Sequence, residues 1–128
     1  MKISSSQKLK NLLKLEKSVA ESQKAGSVTT TTWFLPGTRK YHRQHGPAFE
    51  SSNGHQEWWV DGVKHREGAP AVILPNGQEE YYENGLHHRM DGPAISNSDG
   101  TKQYYIHGQE ISEYDYMKII NRDYGKSY

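Results

Sequence analysis

The chain has 128 residues, no cysteine and a formal net charge of +1, and 33% of its residues are hydrophobic. These values predict one domain with a thin core, and they exclude a disulfide framework and thiolate chemistry. No stretch approaches the roughly 20 apolar residues of a membrane span, and the N-terminus lacks the apolar run of a signal peptide. We therefore expect a cytoplasmic protein without a membrane partner.

The charge is unevenly distributed along the chain. Residues 1–41 carry eight Lys/Arg and two Glu, about +6, whereas residues 42–128 carry eight Lys/Arg and thirteen Asp/Glu, about −5. Two interpretations stay open. Either the basic segment is solvated or attracted to the rest of its own chain, or it contacts an acidic partner such as nucleic acid.

Residues 1–28 are predicted to form a basic helical arm. Apolar residues recur there at helical spacing, namely Leu9, Leu12, Leu13 and Val19. Ala25-Gly26 would end the helix. Lys8, Lys10 and Lys14 lie on its outer surface and are predicted to contact a partner. A helix of this length is marginal in isolation, so pairing of the arm with a second copy of the chain stays open as a further role.

A heptapeptide recurs every 23 residues: HRQHGPA at 42–48, HREGAPA at 65–71 and HRMDGPA at 88–94. Each copy is followed by an Asn-Gly or Asp-Gly pair, two adjacent aromatic residues and a second turn pair. A fixed period of this length indicates a repeat array, and the turn pairs indicate type I′ hairpins with two-residue loops. The sequence therefore predicts a mainly β fold, an antiparallel meander of hairpin repeats over residues 29–110.

Two-residue loops would set the register of the strands. They pair Phe49 with Trp58, Val72 with Tyr81 and Ile95 with Tyr104 on one face, where we expect the core. Across the second turn, His65 then faces Trp58 on that core face, and Arg66 forms a cross-strand ion pair with Glu57. His65 and Val72 can share a face only if one extra residue is absorbed between them, so a bulge is predicted at the Gly-Pro positions.

The opposite face carries the predicted binding residues. Trp59, Tyr82 and Tyr105 lie there in line, each opposite an alanine, and Arg66 and Arg89 are expected along the same face. Aromatic residues and arginine are enriched at the hot spots of protein interfaces. The alternative is that a terminal helix covers this face, because a long open apolar strip is a liability.

No catalytic or metal site is predicted. Equivalent histidines of successive units lie two strands apart, about 9.5 Å, which is too far for His42, His65 and His88 to share a zinc ion. Motifs for phosphate binding or nucleophilic catalysis do not occur. We therefore expect packed, structural histidines, no cofactor and no enzymatic activity.

The repeat resembles the MORN-like units with recurring His-Arg-x-x-Gly-Pro-Ala that are common in proteins of tailed phages. The resemblance covers residues 33–116. It implies a binding or assembly scaffold, such as a phage accessory protein that binds and modulates a host protein in the host cytoplasm.

Residues 111–128 are predicted to form a capping helix and tail. Ser112 is the expected N-cap, Ile111 faces Tyr104, and Tyr116, Ile119 and Ile120 give an apolar face that closes the sheet edge. The leading functional hypothesis is non-catalytic protein binding. The alternative is nucleic-acid binding through the basic arm and the aromatic row.

Overall fold

The computed structural model describes residues 5–7, 9 and 17–123. Residues 5–7 and 9 are helical. The strands that follow are β1 Val19–Ala25, β2 Val28–Phe34, β3 Phe49–Ser51, β4 Gln56–Glu57, β5 Trp59–Val60, β6 Val63–Lys64, β7 Val72–Ile73, β8 Glu79–Glu80, β9 Tyr82–Glu83, β10 Leu86–His87, β11 Ile95–Ser96, β12 Lys102–Ile106 and β13 Gln109–Ile111, and the helix α1 is Glu113–Asp123. The predicted mainly β, antiparallel fold is confirmed. None of the helices described here is long and apolar enough to cross a membrane.

Nine strands form one antiparallel sheet in the order β1-β2-β3-β4-β7-β8-β11-β12-β13, which follows the chain. The pairs β5–β6 and β9–β10 are separate two-stranded hairpins. Only Trp58 separates β4 from β5, but the two strands have different partners. β4 pairs with β7, whereas β5 pairs with β6. Each hairpin therefore extends one strand of the sheet.

The predicted helical arm of residues 1–28 is wrong over its second half. Val19–Ala25 is a strand that pairs with β2 over its whole length, from Ala25 opposite Val28 to Val19 opposite Phe34. Gly26 makes the turn at a φ of 62°. The threonine-rich β2 favours an extended partner, and this pairing outweighs the short helical spacing that included Val19. Lys8, Lys10, Lys14, Leu12 and Leu13 lie outside the described residues.

The first turn of each unit is a three-residue loop, not the predicted two-residue loop. The Ser51 N–H donates to the His55 carbonyl at 2.8 Å, and the Gly54 N–H donates to the Ser51 carbonyl at 3.0 Å. Gly54 has a φ of 100°, as expected for a type I turn closed by a glycine bulge. The Asn53 side chain accepts the His55 N–H at 3.1 Å, which stabilises this turn. The loops that begin at Leu74 and Asn97 repeat the pattern.

This longer loop moves the register by one residue. Phe49 lies opposite Glu57, Val72 opposite Glu80 and Ile95 opposite Gln103, so the predicted pairs with Trp58, Tyr81 and Tyr104 are wrong. A shift of one residue exchanges the two faces of a strand. Gln103 and Tyr105 are two residues apart in β12, so their side chains point to the same face. Ile95 lies opposite Gln103 and is therefore on the Tyr105 side and not on the Tyr104 side.

The second turn of each unit is the predicted type I′ turn. Asp61, Asn84 and His107 have φ values of 49°, 51° and 48°, and a glycine of positive φ follows each of them. Val60 therefore pairs with Val63, and the His65 N–H donates to the Trp58 carbonyl at 3.1 Å. The predicted position of His65 opposite Trp58 is confirmed.

Each repeat histidine binds the backbone of the second turn of its own unit. His42 Nδ1 accepts the Asp61 N–H at 2.8 Å, His65 Nδ1 the Asn84 N–H at 3.0 Å, and His88 Nδ1 the His107 N–H at 2.8 Å. The three donors are the residues of positive φ that open the second turns. His42 and His88 are buried. The repeat histidine therefore stabilises the strained first residue of the following turn.

Helix α1 closes the last unit. Ser112 Oγ accepts the Asp115 N–H at 3.2 Å, so the predicted N-cap is confirmed. Ile111 lies opposite Tyr104 as predicted. Tyr116 is 1% exposed and packs on the Tyr104 ring with centroids 4.7 Å apart. Its hydroxyl donates to the Arg89 carbonyl at 2.6 Å and accepts the Gly92 N–H at 3.1 Å.

The His88 contact predicts a loss of stability in mild acid. Burial, with a smaller effect of the neighbouring His107, lowers the pKa of His88 despite the opposing charge of Glu83. The unfolded chain therefore takes up the proton first, and the contribution of His88 is complete above about pH 6.5 and decreases as the pH falls below it. We expect His88→Asn, whose amide oxygen accepts the same N–H without titrating, to flatten this decrease.

Urea unfolding between about pH 7.5 and pH 5.5 measures the effect as the slope of the unfolding free energy against pH. The exposed His45 offers a matched control, and His45→Asn should keep the slope of the unmodified chain. Equal slopes for all three proteins would contradict the assigned role of His88.

Candidate binding surfaces

Helix α1 and the predicted aromatic row lie on opposite faces of the sheet. Tyr104 and Tyr105 are consecutive in β12, so their side chains point to opposite sides. Tyr104 contacts Tyr116 of α1, whereas Tyr105 contacts His87. We call the Tyr104 side the helix face and the Tyr105 side the ladder face.

A continuous row of side chains crosses the ladder face. It consists of Phe34, Tyr41, Trp59, Lys64, Tyr82, His87 and Tyr105, which we call the aromatic ladder. The Phe34 and Tyr41 rings lie 5.5 Å apart, and the Tyr41 and Trp59 rings lie 5.2 Å apart. Lys64 Nζ lies 5.4 Å from the Trp59 ring and 4.9 Å from the Tyr82 ring. His87 lies 4.1 Å from Tyr82 and 5.0 Å from Tyr105.

Carboxylates hold the polar ends of the ladder. Trp59 Nε1 donates to Glu57 at 2.8 Å, and Glu80 binds both the Tyr82 hydroxyl at 3.2 Å and His87 Nε2 at 2.9 Å. Burial raises the pKa of Glu80, but hydrogen bonds from His87 and Gln78 outweigh it and lower the pKa overall. Burial and the Glu80 carboxylate raise the pKa of the Tyr82 hydroxyl. The polar ends of Trp59 and Tyr82 are therefore fixed by hydrogen bonds to Glu57 and Glu80.

The structure separates the predicted binding residues into two groups. Trp59, Tyr82 and Tyr105 lie together on the ladder face and are half-buried. Arg66 and Arg89 do not join them, so the prediction of one common face is wrong. Their guanidinium groups lie 3.8 Å from the Trp58 ring and 4.0 Å from the Tyr81 ring. Both line a cleft together with Ile120 of α1, which places them on the helix face.

The predicted ion pair between Arg66 and Glu57 does not form, because Arg66 leaves the hairpin. Glu57 instead binds Trp59 and His55. The Trp58 carbonyl accepts the His65 N–H at 3.1 Å, and the Trp58 N–H donates to the Ala71 carbonyl at 2.7 Å. Residues 66–70 therefore loop out between two residues that both bind Trp58. The predicted interruption is in the right place, but it is a loop instead of a single-residue bulge.

The arginine closes each of these loops. Arg66 lies over the Trp58 ring, and its Nη1 donates to the Pro70 carbonyl at 3.0 Å. Arg43 makes the same two contacts with Trp33 and Pro47, and Arg89 makes them with Tyr81 and Pro93. A guanidinium over an aromatic face is a favourable cation–π contact.

Two of the glycines in these loops make room for the arginine. A Cβ atom on Gly46 would lie 2.9 Å from Cζ of Arg43, and one on Gly92 would lie 2.8 Å from Cζ of Arg89. The second unit has Ala69 at the equivalent position, and its glycine, Gly68, lies one residue earlier at a φ of 73°. Sequence reasoning missed this arrangement, although the invariable pairing of arginine with a nearby glycine in the heptapeptides was its visible signal.

Within residues 5–7, 9 and 17–123, no group of three or more His, Asp or Glu side chains is placed to hold a metal ion. No family model, curated protein or solved structure matches this chain. The resemblance to MORN-like repeats stays a prediction, and function is inferred from the geometry of the two faces.

Gly92→Ala tests the space that glycine provides. The new Cβ would push the flexible end of the Arg89 side chain and shift the guanidinium relative to the Tyr81 ring, and we expect the unfolding free energy to fall by about 0.5 kcal/mol. Urea unfolding measures this loss. In an Arg89→Ala background the same substitution should cost less, because the displaced group is gone. An equal cost in both backgrounds would show that glycine is required there for another reason.

Proposed function

We propose that the chain is a non-catalytic protein-binding scaffold and that the aromatic ladder is its contact surface. The observation that carries this proposal is the row of half-buried rings whose polar ends are already fixed by Glu57 and Glu80. Tyr and Trp are enriched in interface hot spots. Rings that are ordered before binding lose little conformational entropy when a partner covers them.

The position of α1 supports an accessible ladder. The helix is anchored on the other face by the buried Tyr116, through Tyr104 and the Arg89 carbonyl. It is therefore not the terminal helix that would turn the ladder face into a second core. The resemblance to phage-encoded repeats adds the hypothesis that the partner is a host protein.

Charge on the ladder face favours protein over nucleic acid. Glu57, Glu80 and Glu110 accept hydrogen bonds from Trp59, Tyr82 and Tyr105, so each ring lies beside a carboxylate. A phosphate backbone would be repelled by these groups, since nucleic-acid affinity comes largely from phosphate neutralisation. Nucleic-acid binding through Lys8, Lys10 and Lys14 stays the alternative.

Alanine substitution on the ladder should weaken partner binding. Trp59→Ala and Tyr105→Ala are each expected to cost about 1–4 kcal/mol of binding free energy, measured by calorimetry with the protein that the unmodified chain captures from a lysate. Tyr114 is a matched control, because it is 70% exposed and lies on α1, and Tyr114→Ala should bind normally. Should the ladder variants spare binding and mainly lower the melting temperature, the ladder is a second core instead.

Two truncations distinguish the contribution of residues 1–16 to stability from that of strand β1. Removing residues 1–16 leaves β1 intact, so we expect the unfolding free energy to change by less than about 0.5 kcal/mol. Removing residues 1–25 also deletes β1 and exposes the edge of β2, so a larger loss is expected. Thermal unfolding compares the two proteins, and a chain that cannot fold without residues 1–16 would place that segment in the core.

The same truncation tests the two roles predicted for the basic arm. Sedimentation shows whether residues 1–16 join two copies of the chain. A salt titration with a DNA oligonucleotide shows whether they bind phosphates. A steep fall of affinity with salt, lost on truncation, would favour the nucleic-acid alternative.

A further inference from the structure

A cleft of about 420 Å³ opens on the helix face between the loops of the second and third heptapeptides. Its walls include Arg66, Gly68, Tyr81, Arg89, Asp91 and Ile120. The two guanidinium groups come from equivalent positions of successive units. One difference between the two loops is the residue two positions after each arginine, which is Gly68 after Arg66 and Asp91 after Arg89.

In the third unit, Arg89 holds a carboxylate of its own loop. Arg89 Nε donates to Asp91 Oδ1 at 2.9 Å. The same guanidinium lies over the Tyr81 ring and donates to the Pro93 carbonyl. The Asp91 side chain is 86% exposed. Arg89 therefore shows that this loop can hold a carboxylate at the Nε edge of the guanidinium.

In the second unit that carboxylate is missing. Arg66 stacks on Trp58 and binds the Pro70 carbonyl in the same way, but Gly68 stands where the third unit has Asp91. Among the residues that the structure describes, no acidic side chain forms an ion pair with Arg66. A Cβ atom on Gly68 would meet nothing within 4 Å. Burial lowers the pKa of Arg66, with a smaller opposing effect of Tyr81.

We propose that this cleft binds an acidic side chain of a peptide partner, whose carboxylate takes at Arg66 the place that Asp91 takes at Arg89. A guanidinium binds a carboxylate through paired, charge-assisted hydrogen bonds. Tyr81 and Ile120 supply apolar walls for a side chain next to the acidic one. Asp91 and Glu83 also line the cleft, so a single carboxylate fits better than a polyphosphate chain. The site is on the helix face and is independent of the ladder.

The test titrates a blocked peptide, acetyl-Leu-Glu-Leu-amide, into the full chain and follows the Nε–H signal of Arg66 by NMR. We expect a saturable shift of that signal, and we expect acetyl-Leu-Gln-Leu-amide to bind at least about tenfold more weakly because it lacks the charge. Inorganic phosphate and a short DNA oligonucleotide are titrated in parallel.

Two substitutions at Gly68 make a matched pair. The φ of 73° at this position is one that Asp and Asn adopt more readily than other side chains. Gly68→Asp supplies a carboxylate within the loop, as Asp91 does for Arg89, and should prevent the peptide from binding. Gly68→Asn has nearly the same shape without the charge and should still bind it.

Two arginine substitutions complete the design. Arg66→Gln, in which the backbone N–H signal of Gly68 replaces the lost Nε–H signal as the readout, should abolish the binding of the peptide. Arg39→Gln should leave it unchanged, because Arg39 is paired with Glu21 and lies over Phe34. The proposal is overturned if Arg66 does not respond to the glutamate peptide at roughly 10 mM, or if the glutamine peptide binds equally well. Equal loss in both Gly68 variants, or tighter binding of phosphate or DNA, would also overturn it.

Discussion

The double hydrogen bond at the backbone of one aromatic residue per unit organises this protein. Trp58 binds His65 through its carbonyl and Ala71 through its N–H, so both ends of the intervening loop meet at one residue. The ring of Trp58 then carries the arginine of that loop. The histidine also accepts an N–H from the second turn of its own unit. Because Trp58 of one unit binds His65 and Ala71 of the following unit, each junction connects two neighbouring units, and the array is stabilised through contacts between neighbours.

This junction also creates the two faces. The aromatic residue that holds the loop points to the helix face, and the following residue points to the ladder face because side chains alternate along a strand. Trp58 and Tyr81 therefore each carry a guanidinium, and the residues that follow them, Trp59 and Tyr82, belong to the aromatic ladder. In the last unit Tyr104 packs on Tyr116 instead, and Tyr105 ends the ladder. Ala71 is fully buried, since only a small side chain fits where the loop returns to the sheet. The same paired aromatic residues thus serve the scaffold on one side and a candidate interface on the other.

The sequence predicted the elements that depend on local chemistry. The period, the type I′ turns, the N-cap at Ser112 and the packed histidines follow from residue types at fixed spacing. The first turns were harder, because Asn-Gly suits both a two-residue turn and a three-residue loop. The two differ in the φ of the asparagine, which is positive at Asn84 but not at Asn53. That single ambiguity exchanged the faces of Val72 and Ile95. Arg66 was placed beside Trp59 for a different reason, because the hairpin was assumed to continue beyond His65. β1 was missed because the spacing of the apolar residues in this segment favours a helix and gives no sign of the pairing with β2.

Some positions of the heptapeptide make the same structural contact in every unit, and others do not. In every unit the histidine accepts an N–H from the type I′ turn, and the arginine lies over an aromatic ring and binds the proline carbonyl. The alanine is buried where the loop returns to the sheet. The third and fourth positions carry no such common contact, and they read Gln44-His45, Glu67-Gly68 and Met90-Asp91. These side chains vary where the loops border the clefts of the helix face. In the proposed peptide cleft we therefore expect specificity to depend on residues that can change without altering the junction. One of them is Gly68, which stands where the third unit has Asp91, the carboxylate bound to Arg89.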